Sequence, residues 1–161
     1  MDKDKQNLLD RLLTEAMNAE EEARKFYADA AGKASSQAGK KLFAELADFE
    51  QGHYDRLRNF IEERTTGKTT DRQEPTRAFS GKSEVEGEFE PNKDEIVKVL
   101  SIGIEAEKKA QAKYREIAKM FDDPSSKAIF TTMAEEERKH ETILDDQFYS
   151  LSNKGTMIWG D

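Results

Sequence analysis

The sequence predicts an all-α fold, a four-helix bundle made of two repeated helical hairpins joined by a long crossover. Three observations predict it. Apolar residues recur at helical spacing in four stretches. Turn-forming residues cluster between those stretches. The second half of the chain also lies on the first, without a gap, after a shift of 87 residues. The 161 residues suit a single domain, 1–161, long enough to bury a core.

The first stripe runs from Leu8 to Ala31 through Leu9, Leu12, Leu13, Ala16, Met17, Ala23, Tyr27 and Ala30, and should end near Gly32. Ser35 or Ser36 can cap the second helix, which carries Phe43, Leu46, Leu57, Phe60 and Ile61. Residues 65–91 are rich in turn formers and charge and read as a long connection, with a short ordered piece around Ala78 and Phe79. Acids at 84, 86, 88 and 90 alternate there with Val85, Gly87 and Phe89; a short strand or a partner contact is possible, and a solvated loop is the expectation. Asn92 followed by Glu95 resembles a capping box opening the third helix. That helix carries Ile96, Leu100, Ile104, Tyr114, Ile117 and Phe121. Asp123 and Pro124 form an N-cap with proline at the first helical position. The fourth helix carries Ile129, Phe130, Met133, Leu144, Phe148 and Leu151 and ends at "SNKG". Trp159 should pack the tail onto the bundle. Phe43, Phe130, Met17 and Met133 read as plain core. A crossover as long as 65–91 spans a bundle of roughly 40 Å at ~3.3 Å per residue and lets the second and third helices run parallel.

Composition narrows the function. The net charge is −8, which argues against nucleic acid, whose phosphates need a basic surface. With no cysteine, disulfides, thiolate chemistry and Cys-bound zinc or iron–sulfur centres are excluded. The N-terminus has no long apolar run, so neither a signal peptide nor a membrane span is expected, and the cytoplasm is the default compartment.

The chemistry sits in "DFEQGHYDRL" and "EEERKHETIL". These hold the chain's two histidines, each three residues after a glutamate, as Glu50–His53 and Glu137–His140. Residues three apart are neighbours on one helical face. The 87-residue shift lays one pair on the other, and also Glu20 on Glu107 and Tyr27 on Tyr114. Stripe and repeat together choose Glu20 from the run 20–22 and Glu107 over Glu105. Glu20 and Glu50 lie 15 residues either side of Ser35, and Glu107 and Glu137 lie 15 either side of Asp122. In antiparallel hairpins each pair then meets at one level, ~22 Å from its turn.

Four carboxylates in an apolar interior repel one another and lose solvation worth several kcal/mol per ion. Two divalent cations would bring four carboxylates and two neutral imidazoles to zero net charge. The oxygen and nitrogen donors suit iron or manganese, as two iron ions or a mixed pair; zinc can occupy such a site in purified material. Tyr27 and Tyr114 stand seven residues after the lone glutamates. Their hydroxyls either hydrogen-bond a ligating carboxylate or serve elsewhere in the core.

Two lone glutamates on the first and third helices, with Glu-x-x-His on the second and fourth, resemble the ferritin-like di-iron carboxylate pattern, a known arrangement in four-helix bundles. Within that class "NAEEEARKFYADAA", "FAELADFEQGHYDRL" and "FTTMAEEERKHETIL" are similar to the rubrerythrins. The resemblance implies metal ligands Glu20, Glu50, His53, Glu107, Glu137 and His140. It also implies a di-iron oxidoreductase that reduces peroxide or dioxygen. Rubredoxin-bearing members add a Cys₄ iron site that this chain lacks, so the electron donor should be external. They also carry a further glutamate three residues after the third-helix ligand, where this chain has Ala110. Two alternatives stay open. One is ferroxidase or iron storage, which native mass would reveal as a large cage; the other is a non-enzymatic bundle holding zinc or nothing. A homodimer is expected, and the long connection would permit helix exchange.

Overall fold

The computed structural model describes residues 1–67 and 78–161. Four long helices form the bundle: α1 (Lys3–Lys33), α2 (Gln37–Thr66), α3 (Lys93–Ala118) and α4 (Pro124–Lys154). A two-residue strand β1 (Glu88–Phe89) pairs antiparallel with β2 (Thr156–Met157) after α4. The all-α expectation holds. Among the described residues no helix is long and apolar enough to cross a membrane.

The helix ends follow local chemistry. Asp2 accepts from the Lys5 amide at 2.8 Å, Ser36 Oγ from the Gly39 amide at 3.0 Å, and Asp123 from the Ser126 amide at 2.9 Å. Each satisfies one of the free N–H groups at a helix start. Gly67 and Gly155 end α2 and α4 with φ of 70° and 72°, the left-handed conformation glycine adopts without a Cβ penalty. Asn92 departs from the capping-box expectation. Its side chain accepts no cap bond; its amide donates to the Lys33 carbonyl at 3.0 Å and approaches Glu95 at 3.4 Å. Asn92 therefore ties the start of α3 to the end of α1. Since α2 also begins at that end, α2 and α3 run parallel, as a long crossover requires.

The connection departs from expectation. Helix α2 continues to Thr66, and the stretch 68–77 of the expected 65–91 loop lies outside the described residues. The acids at 88 and 90 bind backbone amides instead of standing free in solvent as a loop would have them. The Glu90 carboxylate, fully buried, accepts from the Ser35 and Ser36 amides, the Ser36 hydroxyl and the Asn92 amide. Glu88 accepts from the amides of Gln37 and Ala38. Two carboxylates thus cover the positive end of the α2 dipole. At this end Gly39 leaves room that a Cβ would take, 2.9 Å from Ser36 Oγ and 3.1 Å from Glu90.

Two apolar clusters fill the bundle. One, beside the α1–α2 turn, includes Leu42, Phe43, Leu46, Ile96, Leu100, Leu151 and the tail residues Met157 and Trp159. The other, toward the opposite end, includes Leu9, Leu13, Leu57, Ile117, Phe121, Phe130 and Met133. Met17 packs partly buried against the second cluster. Between the two lies a buried polar layer.

Candidate metal centre

That layer holds the six residues singled out from the sequence. Glu20, Glu50, His53, Glu107, Glu137 and His140 are each at most 2% exposed, and all come from one chain. Their ligand-type atoms form two groups, each with every atom within 4.8 Å of the others: Glu20, Glu50, His53 and Glu137, and Glu107, Glu50, Glu137 and His140. Glu50 and Glu137 belong to both groups. Each group adds one lone glutamate and one histidine. The imidazoles lie nearly parallel, 6.0 Å between ring centres.

Both tyrosine hydroxyls donate to these carboxylates, and both reach across to the other hairpin. Tyr27 donates to Glu107 at 2.7 Å and Tyr114 to Glu20. Gly103 makes room for the first contact, since a Cβ there would sit 3.2 Å from the Tyr27 hydroxyl. Burial and the surrounding carboxylate charges push both phenols well above their ordinary pKa, so they stay protonated as donors.

The carboxylates divide into two classes. Burial, reinforced by the charges of their neighbours, raises Glu50 and Glu137 well above the ordinary carboxylate range. Burial also pushes Glu20 up, but the charge of His53 and hydrogen bonds with Glu50, His53 and Tyr114 outweigh it and the pKa falls. Glu107 is lowered against burial in the same way, by His140, Glu137 and Tyr27. Burial disfavours the His53 cation, yet Glu20 and the hydrogen bond to Glu136 prevail and raise it to about 10.

Sequence reasoning missed Glu136 and Arg56. His53 turns Nδ1 toward the cluster, 3.3 Å from Glu20 and 2.7 Å from Glu137 Oε1, and Nε2 toward Glu136 at 2.5 Å. The Glu137 approach lacks hydrogen-bond geometry, so it is a close electrostatic contact rather than a bond. Glu136 is 5% exposed and is held by Arg56 Nη1 at 3.1 and 3.2 Å. The Glu-x-x-His spacing selects Glu137 from the run Glu135–Glu137 and gives no reason to look at Glu136. The signal available was the repeat, which aligns Glu136 with Phe49, an apolar residue.

The environment fits cations. Glu20 Oε2, Glu107 Oε2 and Glu137 Oε1 are buried acceptors without a hydrogen-bond partner among the described residues. Such groups are costly unless something positive meets them. Carboxylate oxygen and imidazole nitrogen without thiolate match iron or manganese. A cavity of about 510 Å³ opens between α1 and α3 with Glu20, Glu50, Glu107 and Glu137 in its lining. Its wall includes two pairs of alanines related by the repeat, Ala19 with Ala106 and Ala23 with Ala110.

A family model described as Rubrerythrin matches residues 11–146. Among solved structures, a hypothetical protein from Pyrococcus furiosus is similar over 90% of this chain and 90% of its own, at 27% identity and a TM-score of 0.72. No curated protein gives a significant match.

Proposed function

Since the chain belongs to the rubrerythrin family, we propose that its buried cluster holds two metal ions, iron in the native state, and that the protein reduces peroxide or dioxygen with electrons from an external donor. The observation that carries this reading is the pair of overlapping ligand groups. Each has its own glutamate and histidine, and both share Glu50 and Glu137. A shared carboxylate pair suits two cations held close together. When bound, a pair of ferrous ions supplies two reducing equivalents at one place.

The chain's own residues prepare that place. Tyr27 and Tyr114 fix the orientation of Glu107 and Glu20 by hydrogen bonds. Glu50 and Glu137, whose protons are retained above the usual carboxylate range, can give up and take back protons as the charge beside them changes. The alanine-lined cavity gives a small oxidant a path to the carboxylate layer. Ala110 leaves open space where a longer side chain would narrow that path.

Glu50→Ala and His140→Ala test the reading. Each removes a donor from the layer, and each should lower metal content and peroxide turnover together, by more than about 100-fold in affinity, since even outer contacts are worth 10–100-fold. Full turnover by either folded variant would refute the assignment. Anomalous scattering at the iron and manganese edges on untreated crystals identifies the metal.

A further inference from the structure

Resting on the two-metal reading, we infer that the two positions are unequal: the ion held through His53 binds more tightly and fills first, because Glu136 engages the far nitrogen of His53 while His140 has no such partner among the described residues. The 87-residue repeat makes the comparison internal. His53 and His140 occupy equivalent positions, as do Glu20 and Glu107, and Tyr27 and Tyr114. At these positions the two halves are matched, and the distinction lies in what stands behind each imidazole.

Behind His53, Glu136 lies 2.5 Å from Nε2. When Nδ1 gives up its proton to a cation, this carboxylate holds the remaining proton on Nε2 and so selects the tautomer whose Nδ1 lone pair faces the side of Glu20 and Glu137. It also makes the imidazole a stronger electron donor. Arg56 holds Glu136 by two contacts from one nitrogen. The Glu136–Arg56 pair is neutral as a unit, so its effect on the ion acts through the imidazole rather than through added charge.

Behind His140 the repeat-equivalent of Glu136 is Phe49, and that of Arg56 is Ile143. The Phe49 ring packs edge-on against His140 at 4.5 Å between centres, and Phe79 does the same at 5.4 Å. His140 Nε2 is buried without a hydrogen-bond partner among the described residues, while Nδ1 lies 3.0 Å from Glu50. The rings restrict the orientation of the imidazole by contact. They offer no carboxylate to accept its proton, so the tautomer with a free Nδ1 gains no hydrogen bond in compensation.

The test uses Co²⁺ on the metal-free full chain. Crystals prepared with one equivalent of Co²⁺ per chain should show anomalous scattering concentrated at the position beside His53. Titration in solution should resolve two binding steps separated by about 10–100-fold, the usual reach of such an outer carboxylate. In Glu136→Gln the first step should weaken by about 10-fold or more, with the second unchanged. Equal occupancy, initial filling beside His140, or an unaltered first step in folded Glu136→Gln would each overturn the inference. The crystal measurement uses the natural sequence and does not depend on the variant folding. Two equal steps remove the inference alone; no Co²⁺ uptake at all removes the two-metal reading with it.

Discussion

Tyr27 sits on α1 and Glu107 on α3, while Tyr114 sits on α3 and Glu20 on α1. Each phenol therefore fastens one hairpin to the lone glutamate of the other. A hydrogen bond to a charged group contributes about 1.5–3 kcal/mol, and the partner left behind remains buried. Tyr27→Phe should lower the stability of the metal-free protein by that amount in urea unfolding, and Tyr114→Phe should do the same. The spacing of these residues was legible, because seven positions on a helix return to one face. The crossing between hairpins was not, since sequence spacing says nothing about which neighbouring helix a long side chain reaches. Glu136 was illegible for a related reason. One residue before Glu137 is about 100° round the helix, and only the packed position of α2 makes that direction an interior one.

At the scale of elements, the four helices were readable from period and punctuation, since their caps and glycine stops are local. The segment from Gly81 to Pro91 was not. Glu88 and Glu90 look solvated because most of the amides they satisfy lie 50 to 55 positions away in the chain, at the start of α2. Glu90 meets three donors there and the Asn92 amide at the start of α3, so truncating it exposes several N–H groups at once. Glu90→Ala should cost about 1–3 kcal/mol, more than the ~1 kcal/mol expected for Ser36→Ala at the same cap. Urea denaturation of the two variants checks both the sign and the order.

Across the whole molecule, two apolar clusters enclose a charged middle, so the stability of the metal-free form must depend on pH. Glu50, Glu137 and His53 all have folded pKa values above their ordinary ones. Groups shifted that way bind more protons folded than unfolded, and stability falls as pH rises. The His53 contribution is fully present below its ordinary value of 6.5 and is lost as pH climbs through about 10. Unfolding of metal-free protein should therefore show a progressive loss from pH 6 to 10, and the raised phenols of Tyr27 and Tyr114 continue the loss above 10. Ligands must shed these protons to bind a cation, so loading should release protons and its affinity should rise with pH. Calorimetry in two buffers of different ionisation enthalpy measures that release. The meeting of the four carboxylates at one level was legible, because equal counts from two turns fix height. The protonation pattern was not, as it depends on distances of a few ångströms between helices.

Trp159 is the chain's only tryptophan. Its indole nitrogen donates to Glu45 at 2.8 Å, and its ring lies 5.5 Å from Phe79, which itself lies 5.4 Å from His140. The tail thus places a single fluorophore two rings away from the carboxylate layer. A paramagnetic ion arriving beside His140 should quench its emission, giving an optical record of loading that needs no label.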